Sequence, residues 1–138
     1  MNDSQMMLLT RAKRAAVRAY AGYSQFRVGA AVLADGRVFV GANIENASAN
    51  LGICAERVAI AHARMRSKAN IEGIAVFCAD ARPGLKGLPA VNETLPCGAC
   101  RQWIAELAAD AWIVTNGSAK AYSIADLLPR PFRLRAER

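Results

Sequence analysis

No apolar run in this chain approaches the roughly 20 residues that a membrane-spanning helix needs, so no membrane partner is expected. Between Asp3 and Arg11 the only apolar stretch is Met6 to Leu9, too short for an export signal, and a cytoplasmic location is expected. Internal repeats and low-complexity linkers are missing, so the 138 residues read as one domain, 1–138. Aromatic residues are few and too sparse among the basic groups to form a base-stacking platform. This bears on the net charge of +7. Its carriers fall in three groups: Arg11, Lys13, Arg14 and Arg18; Arg64, Arg66 and Lys68; and Arg130, Arg133, Arg135 and Arg138. They read as solvated faces and a basic tail, and no nucleic-acid partner is expected. Cysteine is also scarce, with four residues, which excludes a disulfide scaffold. In a reducing compartment such thiols point to metal binding or catalysis.

What the chain does contain is an alternation of helical and strand-like segments. From Ser4 to Tyr20 apolar positions recur at helical spacing, with Asp3 or Ser4 as N-cap and Gly22 as terminator. Val28 to Leu33 and Arg37 to Val40 flank Asp35-Gly36, a hairpin signal. Cys54 to Arg66 reads as a second helix and Ile71 to Ala79 as a central, fully apolar strand. Asp80 to Pro96 reads as a long loop and Gly98 to Ala109 as a third helix. Two strands, Ala111 to Thr115 and Ala119 to Ser123, surround Asn116-Gly117, and a short helix near Ala125 to Leu128 stops at Pro129. The expected fold is α/β: a three-layer sandwich with a mixed five-stranded sheet flanked by helices.

Three of the cysteines stand at helix starts. Cys54-Ala55-Glu56 opens the second helix and Pro96-Cys97-Gly98-Ala99-Cys100 opens the third. A Cys-x-x-Cys pair can share one ion, and Cys54 supplies a third thiolate, which leaves one zinc position open, as in catalytic sites. Helix N-termini stabilise thiolate charge. Three thiolates blunt the metal as a Lewis acid, and Arg57 restores some positive field beside the first ligand. His62, the one histidine, lies eight residues past Cys54, about 12 Å along a helix and too far to share the ion. Cys78, in a buried strand, reads as a small core hydrophobe.

Glu56 completes the pattern. Hydrolysis of a cyclic amidine needs a water made nucleophilic near neutral pH and a group that carries its proton to the departing nitrogen. A three-thiolate zinc supplies the first and one non-ligating carboxylate the second, the arrangement described for zinc deaminases. Alone, Glu56 would read as an ordinary first-turn glutamate favoured by the helix dipole.

With these residues in view, the sequence resembles a cytidine deaminase of the small three-cysteine type. The matching segments run from Ala19 to Phe132: Ala19-Tyr20, Tyr23 to Ala31, Asn43 to Ser48, Ile53 to Arg57, Pro96 to Gln102, and Leu127 to Pro129 with Phe132. The resemblance implies one zinc per chain on Cys54, Cys97 and Cys100, with Glu56 as proton shuttle. It implies that Phe26 packs on the pyrimidine, that Asn43 and Glu45 hold the ribose 3′-hydroxyl, and that Ile44 and Ala55 join the substrate contacts. It also implies a homotetramer in which Phe132 reaches a neighbour's site. Residues two apart on an extended segment face one way, so Asn43 and Glu45 can converge. Three features depart from the family pattern. Ala49-Asn50 replaces an aromatic-Gly pair, Gly52 stands where a polar residue is common, and the loop from Ala79 to Pro96 is long and leads into Cys97. The expected activity is hydrolytic deamination of cytidine and 2′-deoxycytidine in pyrimidine salvage. The alternatives are a deaminase of a modified or antibiotic cytosine nucleoside and a structural zinc module that binds nucleic acid.

Overall fold

A computed structural model describes residues 1–135; Arg138, counted above with the basic tail, lies outside them. The first helix, α1 (Asp3–Ala16), starts one residue earlier than expected. Asn2 is its N-cap: the Asn2 side chain accepts from the Gln5 N–H at 2.9 Å and Gln5 Oε1 accepts from the Asn2 N–H at 3.0 Å. That reciprocal pair satisfies two orphan donors, and it outcompetes a single cap by Asp3 or Ser4. The helix also stops earlier, at Val17, in tight turns from Arg18 to Ala15 and Ala19 to Ala16. Tyr20 then pairs with the chain near Ile44, so tertiary pairing ends α1 well before Gly22.

Strands β1 (Val28–Ala34) and β2 (Arg37–Ala42) form the expected hairpin. Asp35 and Gly36 both have positive φ, 55° and 68°, the backbone that a two-residue primed turn demands. There follow α2 (Ala55–Arg66), β3 (Ile71–Cys78), α3 (Val91–Thr94), α4 (Gly98–Leu107), β4 (Trp112–Thr115) and α5 (Ile124–Leu127). The sheet order is β2-β1-β3-β4: β1 is antiparallel to both neighbours, and β4 is parallel to β3.

The sheet is mixed, as expected, but it has four strands rather than five. The segment Ala119–Ser123 contributes one antiparallel bridge, Tyr122 to Ile113. On one side of it the Ser118 hydroxyl accepts the Lys120 N–H, which bends the chain. On the other, Ser123 is already the N-cap of α5, in a capping box with Asp126. Two local side-chain turns leave no room for a ladder.

Period-two alternation sorts β1 onto two faces. Ala31 and Leu33 join Ala75 and Val114 against Leu8 and Ala12 of α1. Ala30, Val32 and Ala34 join Ile74, Val76 and Ile113 against α2 and α4, where Ala59, Ile60, Ile104 and Ala105 are buried. Helices therefore cover both faces. The α2 seat is close: a Cβ on Gly41 would stand 2.5 Å from the Ala59 nitrogen and 2.7 Å from the Ala55 oxygen. Glycine in β2 and alanines in α2 let backbone meet backbone, which fixes the height of the α2 N-terminus over the sheet. The segment expected as a long loop, Asp80 to Pro96, holds a tight turn at Leu85–Gly87 and the single-turn α3.

Candidate active site

Two helix starts build the site. An N-cap is usually Ser, Thr, Asp or Asn, whose side-chain oxygen closes on a first-turn N–H. Cys54 caps α2 and Cys97 caps α4, and neither sulfur makes that bond. Both thiols are left free at positive helix ends. Cys100, on the first turn of α4, is fully buried.

The three sulfurs converge. Cys54 Sγ lies 3.8 Å from Cys97 Sγ, and Cys97 Sγ lies 3.6 Å from Cys100 Sγ. All three lie within 4.8 Å of one another. Tetrahedral zinc with Zn–S bonds of about 2.3 Å holds its sulfurs about 3.8 Å apart, so the triangle fits that ion. His62 is elsewhere, as its position along α2 required: its Nδ1 is 3.2 Å from the Val40 oxygen, and its ring lies edge-on to Phe39. Cys78 is buried outside the cluster, and burial pushes its thiol up to about 12.

Charge around the sulfurs is uneven. The Cys100 thiol lies within 4.8 Å of the Cys54 sulfur, and the Arg57 guanidinium sits 3.5 Å from that sulfur through Nη2. Together they outweigh burial and bring Cys54 down to about 5, while the proximity of the other sulfurs and burial push Cys100 up. Arg57 is only partly buried: its Nε is enclosed without a partner, while Nη2 directs the guanidinium charge at the Cys54 sulfur. Glu56 is only 4 % exposed, and burial is the main cause that pushes its carboxyl up to about 7.

Cys54, Ala55 and Glu56 form one end of a cavity of about 330 Å³. Phe26, Val28, Asn43 and Glu45 border it from the sheet edge, with Ser24 beside them. Val76 and Cys78 come from the end of β3, and Glu93, Leu95 and Cys97 close the remaining side. Asn43 and Glu45 both face the cavity, as their spacing required. Each is also held: the Asn43 amide donates to the Phe26 oxygen at 2.8 Å and accepts from the Val28 N–H at 2.9 Å. Glu45 accepts from the N–H groups of Tyr23 and Ser24 and from the Ser24 hydroxyl. These bonds fix both rotamers before any ligand arrives, and they hold Glu45 below the usual carboxylate range, the Ser24 hydroxyl being the largest cause.

The structure does not bring every expected contact together. Ile44, between the two, is half exposed and absent from the cavity wall; its backbone pairs with Ile53 instead. Phe132 is 69 % exposed and does not reach this chain's own cavity, although Gln102 donates to its carbonyl at 2.8 Å. Ala49–Leu51 forms a short exposed turn, and Ala49 and Gly52 border a shallow recess that also touches Glu45. Ser24, Glu93 and Leu95 are cavity residues that sequence reasoning gave no role. Ser24 stands in the quoted Tyr23-Ser24-Gln25-Phe26 segment, but nothing local marks Glu93.

Comparison with known proteins agrees with this geometry. Residues 2–116 match the family model for the cytidine and deoxycytidylate deaminase zinc-binding region. Cytidine deaminase from Halalkalibacterium halodurans is 41 % identical over 133 residues, covering 93 % of this chain and 93 % of that protein. Cytidine deaminase from Mycobacterium tuberculosis is 35 % identical over 129 residues, covering 93 % of this chain and 89 % of that protein. The crystal structure of cytidine deaminase from Burkholderia pseudomallei superposes with a TM-score of 0.78 at 37 % identity, over 96 % of this chain and 100 % of that one. Because the matched span takes in both cysteine-capped helix starts and the sheet that sets them side by side, the chain belongs to the zinc-dependent cytidine and deoxycytidylate deaminase family.

Proposed function

We propose that this chain, folding as one domain over residues 1–138, catalyses hydrolytic deamination of cytidine and 2′-deoxycytidine to the uridine products with release of ammonia, a step of pyrimidine salvage. The observation that carries the reading is a buried carboxyl next to a zinc-spaced thiol triangle at the end of a nucleoside-sized cavity. Cys54, Cys97 and Cys100 would hold one zinc per chain, which would supply the Lewis acid that makes water nucleophilic near neutral pH.

The chain's own residues do the rest. Glu56 takes a proton early and delivers it to the departing nitrogen later, and a carboxyl poised near 7 can do both. Phe26 offers an apolar face to the pyrimidine. Asn43 and Glu45, already fixed by Ser24 and the Phe26–Val28 backbone, receive the sugar hydroxyl without reorganising. Ala55, fully buried at the first position of α2, offers its backbone to the base edge. Arg57 offsets the charge of the thiolates.

A substrate lacking the sugar forfeits its hydrogen bonds to the pre-set Asn43 and Glu45, worth about 0.5–1.5 kcal/mol each, so the pair should discriminate against it. An ammonia-release screen should show rapid turnover of cytidine and 2′-deoxycytidine and very poor turnover of free cytosine. Equal rates for cytosine and cytidine would overturn the sugar assignment, and no release from either nucleoside would overturn the activity.

The protein acts in the cytoplasm as a homotetramer, and among the described residues no helix is long and apolar enough to cross a membrane. Assembly is supported by Phe132, whose ring stands exposed on a short segment tied to α4 and away from its own cavity. In a tetramer it closes a neighbour's site. Phe132→Ala should then raise KM and loosen the assembly together, as read by kinetics and size-exclusion chromatography. A fully active monomer would show that each chain builds its site alone.

A further inference from the structure

We infer that Glu93, held by Arg82, is a positioning residue that sets the shape of the substrate cavity on the side of the pyrimidine, and thereby selects among cytosine bases. The inference rests on the deaminase reading of that cavity and adds a residue pair with no place in the cysteine, glutamate or sugar-binding motifs.

The cavity wall from Glu93 to Cys97 is fastened residue by residue. Glu93, Leu95 and Cys97 border the cavity. Thr94, between them, is fully buried: its hydroxyl bonds to the Val91 oxygen at 2.9 Å and meets the Thr115 hydroxyl, at the end of β4, at 2.9 Å. Pro96 is also buried, and its carbonyl accepts from Arg101 Nε at 2.7 Å. The same Arg101 donates through Nη1 to the Leu127 carbonyl at 2.7 Å. Leu95 and Cys97 are thus fixed from behind by their buried neighbours.

Glu93 has no such buried anchor. Its carboxylate accepts from the Arg82 N–H at 2.8 Å and also bonds to Arg82 Nε. The Ala90 N–H donates to the Arg82 oxygen at 2.8 Å, and the Gly84 N–H donates to the Leu88 oxygen at 2.8 Å. Arg82 to Glu93 is therefore a closed excursion, pinched at its base by one ion pair and turned at its tip, where Lys86 and Gly87 have φ of 57° and 74°. Where the excursion leaves the sheet, Asp80 accepts from the Arg27 backbone N–H at 2.8 Å and pairs with the Arg27 guanidinium at 2.9 Å. Arg27 follows Phe26 directly in the chain. The clasp fixes where the Glu93 side chain borders the cavity that Phe26 and Cys78 also line. Without it α3, a single turn, is held only through Thr94 and the Ala90 N–H, its Glu93 side chain is released, and that side of the cavity widens.

A wider wall loosens fit around the ring without touching the zinc ligands or Glu56. The expected signature is a KM effect with a change in base selectivity. The test compares wild type with Arg82→Ala, Glu93→Ala, their double variant, and Glu93→Gln, which keeps one oxygen for the Arg82 N–H. For each, kcat and KM are measured for cytidine and 5-methylcytidine, with zinc content alongside. Glu93→Ala, which loses both the ion pair and the bond from the Arg82 N–H, should raise KM for cytidine about fivefold, and Arg82→Ala, which keeps its backbone N–H, about twofold, with kcat within about twofold and zinc unchanged in both. The ratio of 5-methylcytidine to cytidine turnover should rise. The double variant should match Glu93→Ala, because that substitution already removes the whole clasp. Glu93→Gln should restore most of the wild-type KM. Unchanged KM and unchanged base selectivity in the alanine variants, with an active wild type, would overturn the inference, as would fully additive effects in the double variant. A wild type inactive on every cytosine nucleoside would instead overturn the functional reading beneath it.

Discussion

Glu56→Gln should keep zinc and the fold while losing nearly all turnover. The substitution is isosteric and the amide fills the same buried space at the start of α2. An amide carries no charge to desolvate, so the melting temperature should equal or exceed that of the wild type. What it cannot do is accept a proton and return it. A single positioned acid or base is worth about 10²–10⁴-fold, and Glu56 serves both the attack and the departure, so kcat should fall by about 10⁴-fold or more. The cavity wall at Phe26, Asn43 and Glu45 is untouched, so KM should stay within about threefold of wild type. Conversion is followed by the ultraviolet change from cytidine to uridine, and zinc by elemental analysis. A variant with near wild-type kcat would remove Glu56 from the chemistry. A variant with low kcat and no zinc would mean that the carboxyl supports the metal rather than the proton.

The parts of this site that are legible in sequence are those built by local rules. Cys54 and Glu56 sit at the start of one helix and Cys97 and Cys100 at the start of another, so backbone geometry groups each pair locally and the sheet sets the two pairs side by side. Asn43 and Glu45 follow from strand alternation. The same alternation works against Ile44: a residue between two inward-facing ones must face out, and Ile44 does. The fifth strand failed for a similar reason. Ala119 to Ser123 has a plausible period, but Ser118 and Ser123 each fold their side chains onto nearby backbone, and that local competition is cheaper than a ladder. The start of α1 depended on a reciprocal Asn2 and Gln5 pair. Glu93 is of another kind. Its partner Arg82 is eleven residues away across a loop with no hydrophobic period, and only the folded excursion brings the two together.

Cys97→Ala should empty the metal site and abolish activity together, whereas Cys78→Ala should do neither. Cys97 Sγ lies 3.8 Å from Cys54 Sγ and 3.6 Å from Cys100 Sγ, so its loss leaves two sulfurs and no closed face. Outer hydrogen-bond partners of a metal ligand are already worth about 10–100-fold in affinity, and a ligand itself is worth more. After dialysis the variant should therefore hold far less than one zinc per chain, and cytidine turnover should fall to background. Zinc on these thiols would hold the starts of α2 and α4 together, so the melting temperature should fall as well. Cys78→Ala tests the same chemistry from the other side. That thiol is buried, borders the cavity and is pushed up to about 12, so it stays protonated and lies outside the triangle. Its removal should cost about 1 kcal/mol of stability through lost packing, while zinc stays at one per chain. Full zinc in Cys97→Ala would break the ligand assignment. Zinc loss in Cys78→Ala would break it equally, because a fourth thiolate would then close the position that the reacting water requires.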